Sequence, residues 1–211
     1  MNPVETVMRY PPFFDAVPRL TLRDPLARFL GAIGDGVIEY TYLDAVRLAG
    51  HSCPTVASAY WLTRRALAAL YGAELPERGA IRVDFREDSL TGVTGVIANV
   101  VSMLTGATQD TGFKGLAGRF DRRRLLFFNA AVPLDCRFTR SDTGAAVETA
   151  ARVQRVPGDP ELPGLMQRGL SGAADPEEAA RFGAAWQDRV RRILLEHGED
   201  PEVFVIEPGG R

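Results

Sequence analysis

His51 and Cys53 stand two residues apart in Leu48-Ala49-Gly50-His51-Ser52-Cys53-Pro54, in a chain holding only two histidines and two cysteines. An imidazole nitrogen and a thiolate sulfur both suit a zinc-like ion, and the same pair can act as base and nucleophile. In an extended run alternate side chains share a side, so the two could meet at one ion. Pro54 fits the first turn of a helix and leaves Cys53 at its N-cap. Unpaired amides and the dipole at such an end favour a thiolate. Read as residues alone, the run is equally a turn histidine beside a small buried cysteine.

Two ligands fall short of the four in a closed zinc site, so an open site completed elsewhere is the expectation, with Asp84, Asp88 and Cys136 as candidate completions. Alternation in Leu134-Asp135-Cys136-Arg137-Phe138 favours a buried structural thiol for Cys136 over a ligand. His197, just before Gly198, reads as a helix-end residue. Of 25 basic residues, 24 are arginine and only Lys114 is lysine, a skew that reflects coding bias. Lys114 lies in Gly112-Phe113-Lys114-Gly115, where glycines permit turn geometry or close approach to a ligand, and it reads either as a site lysine or as a solvated loop lysine.

The elements that must position these groups follow from caps and periodicity. Asp24-Pro25 starts a short helix carrying Leu26, Phe29 and Leu30. Thr41 with Asp44 three residues on starts a second, running to about Ala49. A long helix spans Pro54–Tyr71 and closes at Gly72, and another spans about Thr94–Thr105 and closes at Gly106. Asp175-Pro176-Glu177-Glu178 opens a helix with Phe182, Trp186, Val190 and Ile193 on one face, ending at Gly198. Strands are expected at Ala80–Phe85, Arg124–Val132, Leu134–Thr139 and Glu202–Glu207, while Val147–Val156 fits strand or helix. Helices interspersed with neighbouring strands predict an α+β fold, a largely antiparallel sheet packed with helices.

A chain of 211 residues suits one domain able to bury a core without disulfides, and two cysteines are too few for a disulfide framework. A net charge of −2 gives no electrostatic case for nucleic acid. Neither the polar start Met1-Asn2-Pro3-Val4-Glu5 nor any later segment reads as a signal peptide or membrane span, so no membrane partner and a cytoplasmic location are expected.

Gly50-His51-Ser52-Cys53-Pro54 resembles the Gly-His-x-Cys-Pro motif of the FmdE-like family, named after a component of formylmethanofuran dehydrogenase, with a short helix before it and a long one after. Leu104-Thr105-Gly106-Ala107-Thr108 and Gly112-Phe113-Lys114-Gly115 are similar to that family's second motif block, and Asp175–Leu195 extends the likeness weakly. The resemblance implies an α+β fold, a homodimer, and a divalent metal near His51 and Cys53; imidazole and thiolate ligands make zinc the expected ion. It also implies an enzyme or accessory factor of one-carbon or redox metabolism. Lys114 takes from it only membership of the second motif; the chemistry of the residues themselves makes Cys53 and Lys114 the candidate catalytic groups for a small-molecule substrate, with Lys114 stabilising negative charge. The chain departs from the pattern at Val96, Asn99 and Ala107, where many relatives carry cysteine or aspartate. It is expected to be one such domain over 1–211, with a helical C-terminal subregion at about 160–198 and no zinc ribbon.

Two other readings stand beside this one. One is a noncatalytic assembly or small-molecule-binding protein. The other is a metal-free thiol enzyme using Cys53, with His51 as its base.

Overall fold

The computed structural model describes residues 8–210; the Met1–Glu5 start lies outside them. Its centre is a five-stranded sheet formed by β3 (Ile81–Phe85), β6 (Leu126–Phe127), β7 (Cys136–Arg140), β8 (Ala146–Ala151) and β9 (Phe204–Pro208), in the order β6-β3-β7-β8-β9. Only β3 and β6 pair parallel; the other three pairings are antiparallel. The expected α+β class and the antiparallel bias are therefore both present. Alternation sorts the residues: Ile81, Val83, Phe85, Cys136, Phe138 and Phe204 enter the core, while Asp84, Arg137, Glu148 and Glu207 align in register across the opposite face.

The helices sit where caps and periodicity put them. α1 (Pro25–Phe29) is capped by Asp24, whose carboxylate accepts the amides of Leu26 and Ala27 at 3.0 and 3.1 Å. At the head of α2 (Tyr42–Ala49), Asp44 accepts both the amide and the hydroxyl of Thr41 at 2.8 Å. α3 (Pro54–Tyr71) packs on α2, on α4 (Thr94–Thr105) and on the sheet. Ser58, Ala59 and Leu62 of α3 border the same cavity as Val93, Thr94 and Ile97, so the two helices begin at the same end of the molecule. α5 (Leu162–Leu170) and α6 (Pro176–Arg191) pack together in the C-terminal part, and α6 runs into a π-helical turn at Arg192–Glu196. No helix among the described residues is long and apolar enough to cross a membrane.

The structure sharpens these expectations in places. The strand expected at Arg124–Val132 shrinks to Leu126–Phe127, because Arg124 and Asn129 on either side both take φ of +57°, which breaks an extended run. The ambiguous Val147–Val156 becomes β8 plus a 3₁₀ turn at Val153–Arg155. Gly198 directly follows the His197 C-cap, at the helix end as expected, but the reason for the glycine is packing: a Cβ on it would run into the Trp61 ring, whose Nε1 donates to the Gly198 carbonyl. Two antiparallel ribbons escaped the sequence reading: β1 (Leu20–Arg23) with β2 (Val37–Tyr40), and β4 (Lys114–Leu116) with β5 (Arg119–Asp121). Their strands, three or four residues long, are too short for a period to show.

Asp24 ties these peripheral pieces together. It is 2% exposed, binds Arg122 through both oxygens at 2.7 Å, and binds Arg78 at 3.0 Å. Arg78 also donates to the Met103 carbonyl in the last turn of α4 at 2.9 Å. Burial alone would raise the Asp24 pKa; the Ala27 amide and the two guanidiniums outweigh it and hold the carboxyl below its usual value. A depressed carboxyl pKa stabilises the fold above the unfolded value of about 3.9, and the contribution fades as pH falls through the folded value. Asp24→Ala leaves two guanidiniums facing an empty site. In urea unfolding at pH 7 it is expected to cost about 3 kcal/mol, with the gap from wild type closing as pH falls below about 4.

Candidate functional site

α2 ends at Gly50 with φ of +76°, and its amide closes on the Val46 carbonyl at 2.8 Å. This left-handed turn sends the chain into His51-Ser52-Cys53. Cys53 is extended, at φ −150° and ψ 168°, and is the N-cap of α3, with Pro54 following as expected. Its sulfur accepts the Val56 amide at 3.5 Å and is almost buried. His51 is exposed, and its Nδ1 lies 3.0 Å from the Ala49 carbonyl oxygen. A carbonyl can only accept, so Nδ1 carries the proton and the neutral ring keeps its lone pair on Nε2.

The residue between them anchors the loop. The Ser52 carbonyl accepts Trp186 Nε1 at 3.0 Å and Gln187 Nε2 at 3.2 Å, both from α6. Its hydroxyl donates to Gln187 Oε1 at 3.0 Å, so the Tyr42 hydroxyl, 2.9 Å away, must be the donor in that contact. Burial pushes the Tyr42 pKa up, which keeps that proton in place. Trp186 was visible in the sequence as part of an apolar helix face. Its bond to Ser52, 134 positions away, had no sequence signal, and Tyr42 and Gln187 had none as site residues.

The other candidates lie elsewhere. Cys136 is fully buried, with its sulfur 3.0 Å from Thr149 Oγ1. Asp84 is gripped by Arg82 at 2.6 to 3.0 Å on the far face of the sheet. Asp88 accepts from Asn129 and from the Leu90 amide. His197 Nδ1 pairs with Asp200 at 3.1 Å, a helix-end contact. Among the described residues no three of His, Cys, Asp and Glu gather into a metal-ligand set. His51 and Cys53 thus suit zinc in kind and fall short in number, since catalytic sites use about three protein ligands and structural ones about four.

Lys114 is exposed on the β4–β5 ribbon, opposite Asp121. The ribbon is anchored by Arg122, whose amide donates to Phe113 and whose guanidinium binds Asp24. Gly106, at the end of α4, packs against Arg78 and Arg122, so the ribbon belongs to that end, whereas Cys53 heads the helix end that borders the first turn of α4. Twelve residues of α4, about 18 Å of helix, lie between. Gly115 has a local reason: at φ +83°, a Cβ would collide with the Arg119 carbonyl oxygen of the facing strand.

The two thiols should differ sharply toward an alkylating reagent. Burial pushes the Cys136 thiol up to about 12, so at pH 8 it keeps its proton and offers a reagent almost no thiolate. In native protein Cys53 is expected to be modified first and Cys136 only on unfolding, read by peptide mass spectrometry. Equal rates would mean that the helix start confers no accessibility on Cys53.

Against protein-family models and against curated proteins, the chain has no match. The FmdE-like resemblance therefore rests on the residues quoted for it, and function on the geometry of the His51–Cys53 loop.

Proposed function

We propose that this chain is a divalent-metal-binding protein of the FmdE-like kind, with His51 Nε2 and Cys53 Sγ as its own two ligands and zinc as the ion. The observation that carries this reading is the His51 Nδ1 contact to the Ala49 carbonyl. A metal-binding imidazole usually donates its other nitrogen's proton to such an acceptor, which orients the ring and raises its basicity. The remaining positions fall to water, a small-molecule ligand or a second copy of the chain. A bound ion would supply Lewis acidity and lower the pKa of a coordinated water. The chain's part is to hold the loop: Tyr42, Trp186 and Gln187 keep Ser52 still, and with it the two donors on either side. A role for Lys114 at this loop would call for a second copy, consistent with a homodimer.

The shortage of a third ligand supports a second reading, a metal-free thiol site with Cys53 as nucleophile and His51 as base. Elemental analysis and zinc titration of purified protein separate the two. On the first reading His51→Ala and Cys53→Ser each lower zinc affinity at least tenfold, and Gln187→Ala lowers it by a smaller factor by loosening Ser52. Wild-type protein that takes up no zinc, cobalt or nickel, while its Cys53 alkylates at the same rate with and without chelator, sinks the metal reading.

A further inference from the structure

A second feature is independent of that loop's metal chemistry. The second and third turns of α3 and the first turn of α4 enclose a cavity of about 210 Å³ with the ends of β3, β7 and β8. Leu62, Phe85 and Cys136 form its floor, and all three are buried. Glu87 and Asp135 also line it, and their side chains are about half exposed, so they mark its mouth. A dry cavity of roughly 150 Å³ is enough to take benzene. This one has room for a ring or branched alkyl body plus a short polar arm.

The polar groups around it favour a donor. The Ser58 hydroxyl gives its proton to the Thr55 carbonyl at 2.9 Å, so toward the cavity it can only accept. Glu87 and Asp135 share one guanidinium, that of Arg86, at 3.4 and 3.2 Å, which leaves one negative charge unbalanced. The second Asp135 oxygen accepts the Ala151 amide at 3.3 Å. The start of α4 contributes a positive partial charge of about half a unit, too little to offset that carboxylate. A carboxylate or phosphate would meet repulsion at this mouth. An ammonium, with three donors and no acceptor, meets complementary charge.

We propose that this cavity binds a small primary amine with an apolar body, an arylalkyl- or alkylammonium, its hydrocarbon against Leu62, Phe85 and Ile97 and its charge at Glu87 and Asp135. Calorimetric titration with 2-phenylethylamine, 2-phenylethanol and 3-phenylpropionate tests it at pH 7. The amine is expected to bind with a dissociation constant on the order of 0.1 mM, at least tenfold tighter than the alcohol, while the acid shows no binding. Glu87→Gln with Asp135→Asn, two half-exposed positions, should weaken the amine about tenfold and leave the alcohol unchanged, the size expected for a charge-assisted contact. Ile97→Trp fills the cavity and should abolish both, with circular dichroism confirming that it folds; if it does not fold, the double variant decides. No amine binding at millimolar concentration, equal affinity for amine and alcohol, or full amine affinity in the double variant or in folded Ile97→Trp overturns the proposal. Zinc content plays no part in these readouts, so failure here leaves the metal reading untouched, and the reverse.

Discussion

Val56 through Thr63 of α3 are buried without a break, so this half of the helix presents no face to water and has to be covered on every side. The sheet covers one side, with Phe138, Val147 and Phe204 reaching it; α2 and α4 cover others, and the C-terminal segment closes the rest. Most of the remaining architecture follows from that need. Trp61 illustrates the tightness: its ring lies so close to Gly198 that no side chain fits there, and its indole nitrogen bonds the Gly198 carbonyl. Replacing that glycine would push the C-terminal segment off the helix, since close-packed interiors have no slack at this scale.

A helix held this firmly gives its N-terminus a fixed position. Cys53, as the cap, inherits the rigidity of α3 from one side, and Ser52 inherits that of α6 from the other. The loop between α2 and α3 is thus clamped at both ends while the His51 side chain stays in solvent. A fixed loop with one exposed donor, His51, beside a thiol at a helix start is an arrangement a ligand from outside the chain can complete. That combination, more than the bare spacing of the two residues, is the support for the metal reading proposed at this junction.

The β4–β5 ribbon shows the opposite economy. It has no core of its own, and Phe120, at φ +63°, turns its ring toward Phe29 of α1, 5.4 Å away. Arg122 and Asp24 hold its base. Glycines around Lys114 that could equally have admitted a ligand turn out to admit a neighbouring strand and the Thr108 side chain. The rarity of lysine in this chain is a fact of composition, and the ribbon gives it an exposed setting at the end of α4 away from Cys53.

Local signals were enough to read the long elements. Caps at Asp24, Thr41, Cys53 and Asp175 and glycines at 72 and 106 mark helix ends because their chemistry acts within one turn, and α3, α4 and α6 appear where those marks predicted. The burial of Cys136 was legible for the same reason, through strand alternation. Strand limits at Arg124 and Asn129, the two short ribbons and the true constraint on Gly198 were not, because each is set by a partner distant in the chain. The same holds for the site. Sequence placed His51 and Cys53 at a helix start, but only folding brings Trp186 and Gln187 to Ser52, leaves Asp84, Asp88 and Cys136 committed elsewhere, and puts α4 between Lys114 and the loop. Hydrogen bonds across more than 130 residues leave no period or spacing to read, so three-dimensional packing alone decided which candidates share a site.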